Sequence, residues 1–459
     1  MHRAPASEPG YYNLPVGLRR VLISAYRRLR GHPPLKYWEE AEARQWWPRE
    51  RLAEYQQQQL TEALRHASTH VPYYRERGLG DRLADYPVLT KLGMIEHFES
   101  LSTTNTDRRH SFKVATGGST GEQVVVRVDF PEHASRLGVS WRGDCWGGIK
   151  PWDRGIALYG ASHLGYESRE RLFRPLLYLI TNRLTLNCLQ MSPQRAREVH
   201  AYLRRAKPVA ILGYTSTLAS FSCHILEQSL GRITCKKVTP TAEQLDARSE
   251  QLIRACFDAP LMQRYGCREV GDIAHQCEHG NWHLNADHVY LEVLKADGTI
   301  STTGRGRLLI TKLHNRWQPL VRYDLGDMVT LGGEPCPCGR CLPTMSELHG
   351  RVQSMIYLED GTTFSPQAPG LPALGKPVVE WQLIQDSATH CRYLVVPKPD
   401  FTAKHAEQMK TELAQWLDGK LDVTLEVVDE IAPLPSGKRP CVISALEAQH
   451  KAKYQPPAE

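Results

Sequence analysis

Six candidate metal ligands stand out in two short segments of this chain. Cys277, His279 and His283 lie in HQCEHGNWHLNADH (His275–His288), and Cys336, Cys338 and Cys341 lie in EPCPCGRC (Glu334–Cys341). A structural zinc ion takes four nitrogen or sulfur ligands in a closed tetrahedron. A C-x5-H pair together with a C-x-C pair supplies such a set; the competing reading is reduced thiols beside ordinary histidines. A second chemistry-bearing run is ATGGSTGEQ (Ala115–Gln123). Glycine lets a backbone turn tightly and approach a ligand, and the N–H groups and hydroxyls of Thr116, Gly117, Gly118, Ser119, Thr120 and Gly121 are suited to surround phosphate oxygens. The run is followed by the strand-like VVVRV (Val124–Val128) rather than by a helix, and it lacks the GK[ST] ending of the common nucleotide-triphosphatase loop. A flexible Gly/Ser turn is the alternative.

Three further segments follow the glycine-rich run in order: YGCREVG (Tyr265–Gly271), PLVRYDLGD (Pro319–Asp327) and LPSGK (Leu434–Lys438). Together the four resemble the adenylate-forming superfamily of acyl-CoA ligases, luciferases and peptide-synthetase adenylation domains. Within it the chain is most similar to the branch of phenylacetate–CoA ligases and capsular-polysaccharide CapK-like enzymes. The resemblance implies roles residue by residue. Tyr265, with Gly266, packs on adenine; Thr241, Ala242 and Glu243 line its other side. Glu269 helps to hold magnesium, for which a carboxylate beside phosphates is the expected oxygen ligand. Asp327 accepts hydrogen bonds from the ribose hydroxyls, and Arg351 in HGRVQS lies close to the ribose. Lys438 is the catalytic lysine, a mobile ammonium suited to the charge that develops between carboxylate and α-phosphate. Arg268 stands where the family often has threonine, and Ser354 where it often has a hinge aspartate. For the metal the resemblance selects Cys277, His283, Cys336 and Cys338, with His279 and Cys341 as further candidates.

The elements that must position these groups are legible in outline. A chain of 459 residues has room for several domains and an ample core. A net charge of +7 favours anionic ligands such as ATP without arguing for nucleic acid, and no nucleic-acid module is recognised. Twelve cysteines are too few for a disulfide scaffold at this length and point to a reducing, cytoplasmic setting. No apolar run long enough for a transmembrane helix and no signal-peptide core are present. Leu14–Arg30 is a basic amphipathic pattern; it reads as a membrane-surface helix or, favoured by the general habit of such patterns, as a helix docked on its own domain.

Residues 1–100 read as a mainly helical lead-in, with Leu52, Tyr55, Leu60, Ala63, Leu64 and Ala67 at helical spacing and a break at Pro72. From 110 to 350 short β-rich runs such as GIALYG (Gly155–Gly160), VAILGY (Val209–Tyr214) and GRGRLLITKL (Gly304–Leu313) alternate with helical stretches, which argues for α/β layers. From about 352 a smaller unit reads as strand, strand, helix, strand. The expectation is an α/β fold: a large N-terminal adenylate-forming domain (1–351) and a small mobile α+β C-terminal lid (352–459). The activity implied is ATP-dependent activation of a small carboxylic acid to an acyl-adenylate, with Mg2+ and a structural Zn2+, followed by transfer to the thiol of CoA. An amine or a carrier-protein thiol is the alternative acceptor, and a non-catalytic zinc-stapled binding protein is the alternative of another class.

Overall fold

A computed structural model describes residues 15–29, 34–104, 112–115, 124–159, 178–179, 182–188, 190–243, 245, 247–295, 297–349, 355–360, 362–364, 372–373, 376–431 and 440–446. The lead-in is helical over Val16–Leu29, Pro34–Arg44 and Arg49–His70. In the third helix Leu52, Leu60, Ala63, Leu64 and Ala67 form one buried stripe, because residues three and four apart share a helix face. The helix stops where Val71, preceding Pro72, turns extended at φ −102° and ψ 115°. The basic first helix docks through Ile23 and Arg19, whose Nη1 donates to the Trp152 carbonyl at 3.3 Å, and leaves Leu18 and Val21 exposed. Among the described residues no helix is long and apolar enough to cross a membrane.

The large domain is built on one mixed sheet, twelve strands among the described residues. Its parallel half runs Arg183–Asn187, Gly155–Tyr159, Ala210–Tyr214, Lys237–Thr241, Arg264–Cys267. Its antiparallel half continues through Gly271–Gln276, Trp282–Leu284, Thr344–His349, Tyr323–Leu331, Gly304–Lys312, Val289–Leu294 and Ile300–Ser301. The strand that carries Tyr265 is thus the seam: parallel to one neighbour and antiparallel to the other. Each half has its own core. Helices Pro193–Ala206, Thr215–Glu227 and Ala247–Cys256 cover the parallel half around Ile211, Phe221 and Ile253. The lead-in residues Leu60, Leu64, Tyr74 and Tyr86 pack with Tyr265, Val270 and Tyr323 under the antiparallel half. Residues Val378–Gln385, His390–Pro397, Asp422–Val427 and Val442–Ser444 form a separate four-stranded sheet with the helix Ala403–Trp416, the small C-terminal unit expected from its strand–strand–helix–strand pattern. The two units meet at least where Thr363–Phe364 pairs with Gln190–Met191.

The helix Phe130–Cys145 lies over the seam and is fixed there by charge. Asp129 caps its first turn, accepting from the Glu132 amide at 3.1 Å. Near its end the fully buried Arg142 donates to both carboxylate oxygens of the fully buried Asp287 at 2.9 Å, and Arg44 of the lead-in donates to the same carboxylate at 2.8 Å. Burial alone would raise the Asp287 carboxyl; the two guanidinium groups overcome it and hold it far below the usual range. The Asp287→Ala variant leaves two buried cations without their anion, and denaturant melts at pH 7 should show a loss of about 3–5 kcal/mol. Because the folded carboxyl is depressed, this contribution is complete above the unfolded value of about 4 and fades as pH falls below it. A wild-type–variant gap as large at pH 2 as at pH 7 would refute the assignment.

Candidate active site and metal centre

The seam strand and its neighbour make a tight hairpin, Arg264–Cys267 to Gly271–Gln276, with Arg268–Val270 as the turn. Two glycines are needed. A Cβ on Gly266 would lie 2.5 Å from the Gly271 carbonyl oxygen, and Gly271 itself sits at φ +96°. Tyr265 is buried, and its hydroxyl donates to Asp327 Oδ2 at 2.8 Å. Asp327 lies four strands away in sheet order, about 19 Å on a flat sheet at the usual strand spacing. The antiparallel half therefore curls back on the seam, and the curl brings YGCREVG to PLVRYDLGD. Tyr323, from the same distant strand, donates to Glu269 Oε1 at 3.3 Å. Arg322, also within PLVRYDLGD, is structural: it pairs in a two-pronged fashion with Glu292 at 2.8–2.9 Å and donates to the Tyr86 carbonyl.

Around this pair the neighbouring segments are fastened by specific bonds. The strand Val125–Val128, which leaves the glycine-rich run, is held to the turn before PLVRYDLGD: the Arg127 amide donates to Gln318 Oε1 at 2.7 Å, and Asn315 Nδ2 donates to the Arg127 carbonyl at 2.8 Å. Thr241 ends its strand beside the seam, with Oγ1 donating to the Arg264 carbonyl at 3.0 Å. Ala242 turns the chain at φ +68°. The Glu243 carboxylate then accepts from the Ser216 amide at 2.7 Å and the Ser216 hydroxyl at 3.0 Å, at the N-terminus of the Thr215–Glu227 helix, where helix polarity favours an anion. At the carboxyl edge of the parallel strands a polar group adjoins these residues. Arg264 Nη2 donates to the Tyr159 hydroxyl at 3.2 Å, its Nε lies 3.6 Å from Asp272, and Tyr159 packs on Tyr214 at 4.7 Å. Open α/β sheets bind ligands at this edge, near a change of strand order.

The second constellation is compact. Cys277, His283, Cys336 and Cys338 bring one ligand atom each to within 4.8 Å of one another. Cys277 Sγ is 3.5 Å from Cys336 Sγ, and Cys338 Sγ is 3.4 Å from His283 Nε2. Those separations suit a tetrahedron with metal–sulfur bonds near 2.3 Å, whose edges are about 3.5–3.8 Å. The Cys277 sulfur accepts from the His279 amide at 3.4 Å and the Cys336 sulfur from Asn281 Nδ2 at 3.2 Å, donors that favour thiolates. Burial pushes the Cys277 thiol up against those donors, and it pushes the His283 imidazole down to about 4, so the imidazole is neutral at pH 7, the form that ligates. Arg340 closes the outside, 4.5 Å from the Trp146 ring centroid and paired with Glu278 at 2.9 Å. His279 is exposed and Cys341 faces the Gly339 carbonyl; neither is among the four.

Residues 371–445 match the family described as the CapK C-terminal domain. The chain is 20% identical over 371 residues to protein CapK of Staphylococcus aureus, spanning 79% of this chain and 80% of CapK. It is 24% identical over 368 residues to a phenylacetate–coenzyme A ligase of Thermus thermophilus, spanning 73% of this chain and 79% of that enzyme. Among solved structures it resembles 2-hydroxyisobutyryl-CoA ligase bound to 2-HIB-AMP and CoA in the thioesterification state, with a TM-score of 0.56 and 17% identity over 87% of this chain and 91% of that one. The chain shares the fold of that ligase, and its residues 371–445 match the CapK C-terminal domain family.

The described structure brings Tyr265, Gly266, Glu269, Thr241 and Asp327 into one neighbourhood and sets Glu243 as a helix cap at its margin. Thr116–Gly121, Arg351, Ser354 and Lys438 lie outside the described residues. Sequence reading missed Arg264, Tyr159, Tyr323 and the side chains that grip the 268–270 turn. Their one linear signal is a charge or hydroxyl inside an apolar run, as at Lys312 in RLLITKL. The hairpin is testable on its own. Gly266→Ala must push two backbones apart, since the new methyl meets the Gly271 oxygen and the Asp272 Cα. Denaturation should show a loss of about 1–3 kcal/mol, with weaker ATP binding by calorimetry; wild-type stability and affinity would refute the contact.

Proposed function

We propose that this protein activates a carboxylic acid with ATP and passes the acyl group to the thiol of CoA. The observation that carries the reading is the pairing of Tyr265 with Asp327, and of Tyr323 with Glu269, at the sheet seam of a chain with the adenylate-forming fold. Tyr265 lies against adenine, with Gly266 and the Thr241–Ala242–Glu243 turn as the rest of its slot. Asp327, positioned by the Tyr265 hydroxyl, accepts from the ribose hydroxyls; a carboxylate has two oxygens and can serve both roles. Arg351 adjoins the ribose. The backbone and hydroxyls of Thr116–Gly121 hold the phosphates, and Glu269 is the side chain that would hold Mg2+. That ion, when bound, offsets phosphate charge. The acid's carboxylate oxygen attacks the α-phosphorus, pyrophosphate leaves, and Lys438 stabilises the charge that develops there. The thiol sulfur then displaces AMP from the acyl carbon. The protein contributes position and charge rather than a covalent intermediate.

Cys277, His283, Cys336 and Cys338 are the residues that would hold a structural zinc, fastening the 277–283 hairpin to the 336–338 loop. Both segments lead directly into strands of the curled half. The four side chains complete a closed set, so the ion would have no open position for substrate. The twelve cysteines are free of disulfides, which suits a reducing compartment.

Pyrophosphate release with a panel of carboxylic acids, each with CoA, with hydroxylamine and with neither, tests the reaction and its acceptor together. Lys438→Ala should abolish adenylate formation while ATP still binds, a barrier increase on the order of 3 kcal/mol or more; wild-type turnover would remove its role. Elemental analysis should find about one zinc per chain, the stoichiometry of a single closed site. Cys338→Ser should lower both zinc content and melting temperature, and a metal-free preparation of full stability and activity would defeat the zinc assignment.

A further inference from the structure

The Arg268–Glu269–Val270 turn presents three successive carbonyls, and each is taken by a side chain from elsewhere in the chain. Arg136, on the helix over the seam, donates from Nη1 to the Arg268 carbonyl at 2.8 Å and from Nη2 to the Glu269 carbonyl at 2.6 Å. Lys312 Nζ reaches the same Glu269 carbonyl at 3.0 Å. His288 Nε2 donates to the Val270 carbonyl at 3.0 Å, and its Nδ1 accepts from the Ser135 hydroxyl at 2.9 Å. The two cations share one buried anion: Glu132 Oε1 lies 2.5 Å from Arg136 Nη2 and 2.6 Å from Lys312 Nζ. Glu132 and Lys312 are almost wholly enclosed. Burial alone would raise the Glu132 carboxyl, but the two cations hold it below its ordinary value.

Turn carbonyls ordinarily face water. Here an invested set of buried charges faces them, and the residue whose carbonyl takes two cationic donors is Glu269. The glycine that closes YGCREVG belongs to the same device. A Cβ at Gly271 would lie 2.9 Å from Arg136 Cγ, so the stem of the arginine passes through space that only glycine leaves open.

We infer that Arg136, seconded by Lys312, is a positioning residue for Glu269: it locks the turn backbone so that the Glu269 carboxylate is held ready for a divalent cation. The inference rests on the proposed metal role of Glu269. Arginine is required rather than any cation, because only a planar fork spans two consecutive carbonyls and a carboxylate at once. A lysine at 136 keeps the charge for Glu132 and loses the fork.

Mn2+ as a spin probe, with α,β-methylene-ATP as a nucleotide that cannot be cleaved at the α-position, reads the device on the full-length protein. Arg136→Lys should weaken Mn2+ binding in the nucleotide complex about tenfold, the lower end for losing an outer support of a metal ligand. Nucleotide affinity in EDTA should stay within about twofold, since the fork touches no proposed nucleotide contact. Lys312→Met should move Mn2+ affinity the same way by less, and it carries the test if Arg136→Lys does not accumulate folded. Unchanged Mn2+ affinity in a folded Arg136→Lys protein overturns the inference. So does an equal fall of nucleotide affinity in EDTA, which marks general damage. Glu269→Gln separates the layers: if it leaves Mn2+ binding intact, the metal role of Glu269 fails whatever Arg136 does.

Discussion

Charges buried on the inner side of the Phe130–Cys145 helix have to be neutralised there, and much of the site's architecture follows from how that is done. An ion taken out of water costs several kcal/mol unless it is paired and hydrogen-bonded. Glu132 and Arg136 meet that demand with Lys312 and the carbonyls of the 268–270 turn, and Arg142 meets it with Asp287 and Arg44. Each partner comes from a different part of the chain: the lead-in, the hairpin and two regions of the antiparallel half. Apolar packing tolerates a slide of one layer over another; a two-pronged ion pair does not. The helix therefore sets the register between lead-in, seam and antiparallel half to within a hydrogen-bond length.

The curl of the antiparallel half is the second consequence. Its strands return far enough for Tyr323 and Asp327 to meet Glu269 and Tyr265. The Cys277–His283 hairpin and the Cys336–Cys338 loop lie beyond the opposite ends of strands in that half, and their four ligand atoms converge. The Cys341 amide donates to the Gln45 carbonyl, and Gln45 Oε1 accepts from Trp146, so the metal-type cluster is also tied to the lead-in and to the end of the seam helix. Among the described residues the side chains proposed for chemistry thus lie on a turn (Glu269) and on strands (Tyr265, Asp327), while their supports lie on helices and strands. Precision comes from the rigid elements and access from the turns.

Local patterning in the sequence was enough for the element types. The spacing of Leu52, Tyr55, Leu60, Ala63, Leu64 and Ala67 meant a helix because residues three and four apart share a face, and all but the half-buried Tyr55 are buried. The alternation of short apolar runs with helical stretches meant layered α/β, and the small C-terminal unit followed from its strand–strand–helix–strand order. The same local logic found Gly266 and Gly271 in a motif and the cysteine–histidine segments by spacing, since turns and chelation both depend on neighbours a few residues apart.

Tertiary structure decided what no window of neighbours contains. It placed the motif strand at the seam between parallel and antiparallel halves, and it buried His283, the histidine the resemblance selected, while leaving His279 exposed. It turned Glu243 toward a helix N-terminus and made Arg322 a structural pair for Glu292. It also recruited Glu132, Arg136 and Lys312, which in the linear sequence are unremarked charges, to grip one turn. Arg136 and Glu269 are 133 residues apart. A hydrogen bond across that distance leaves no periodicity and no motif, because its partners are selected by the chain's path through space and by the cost of burying either charge alone.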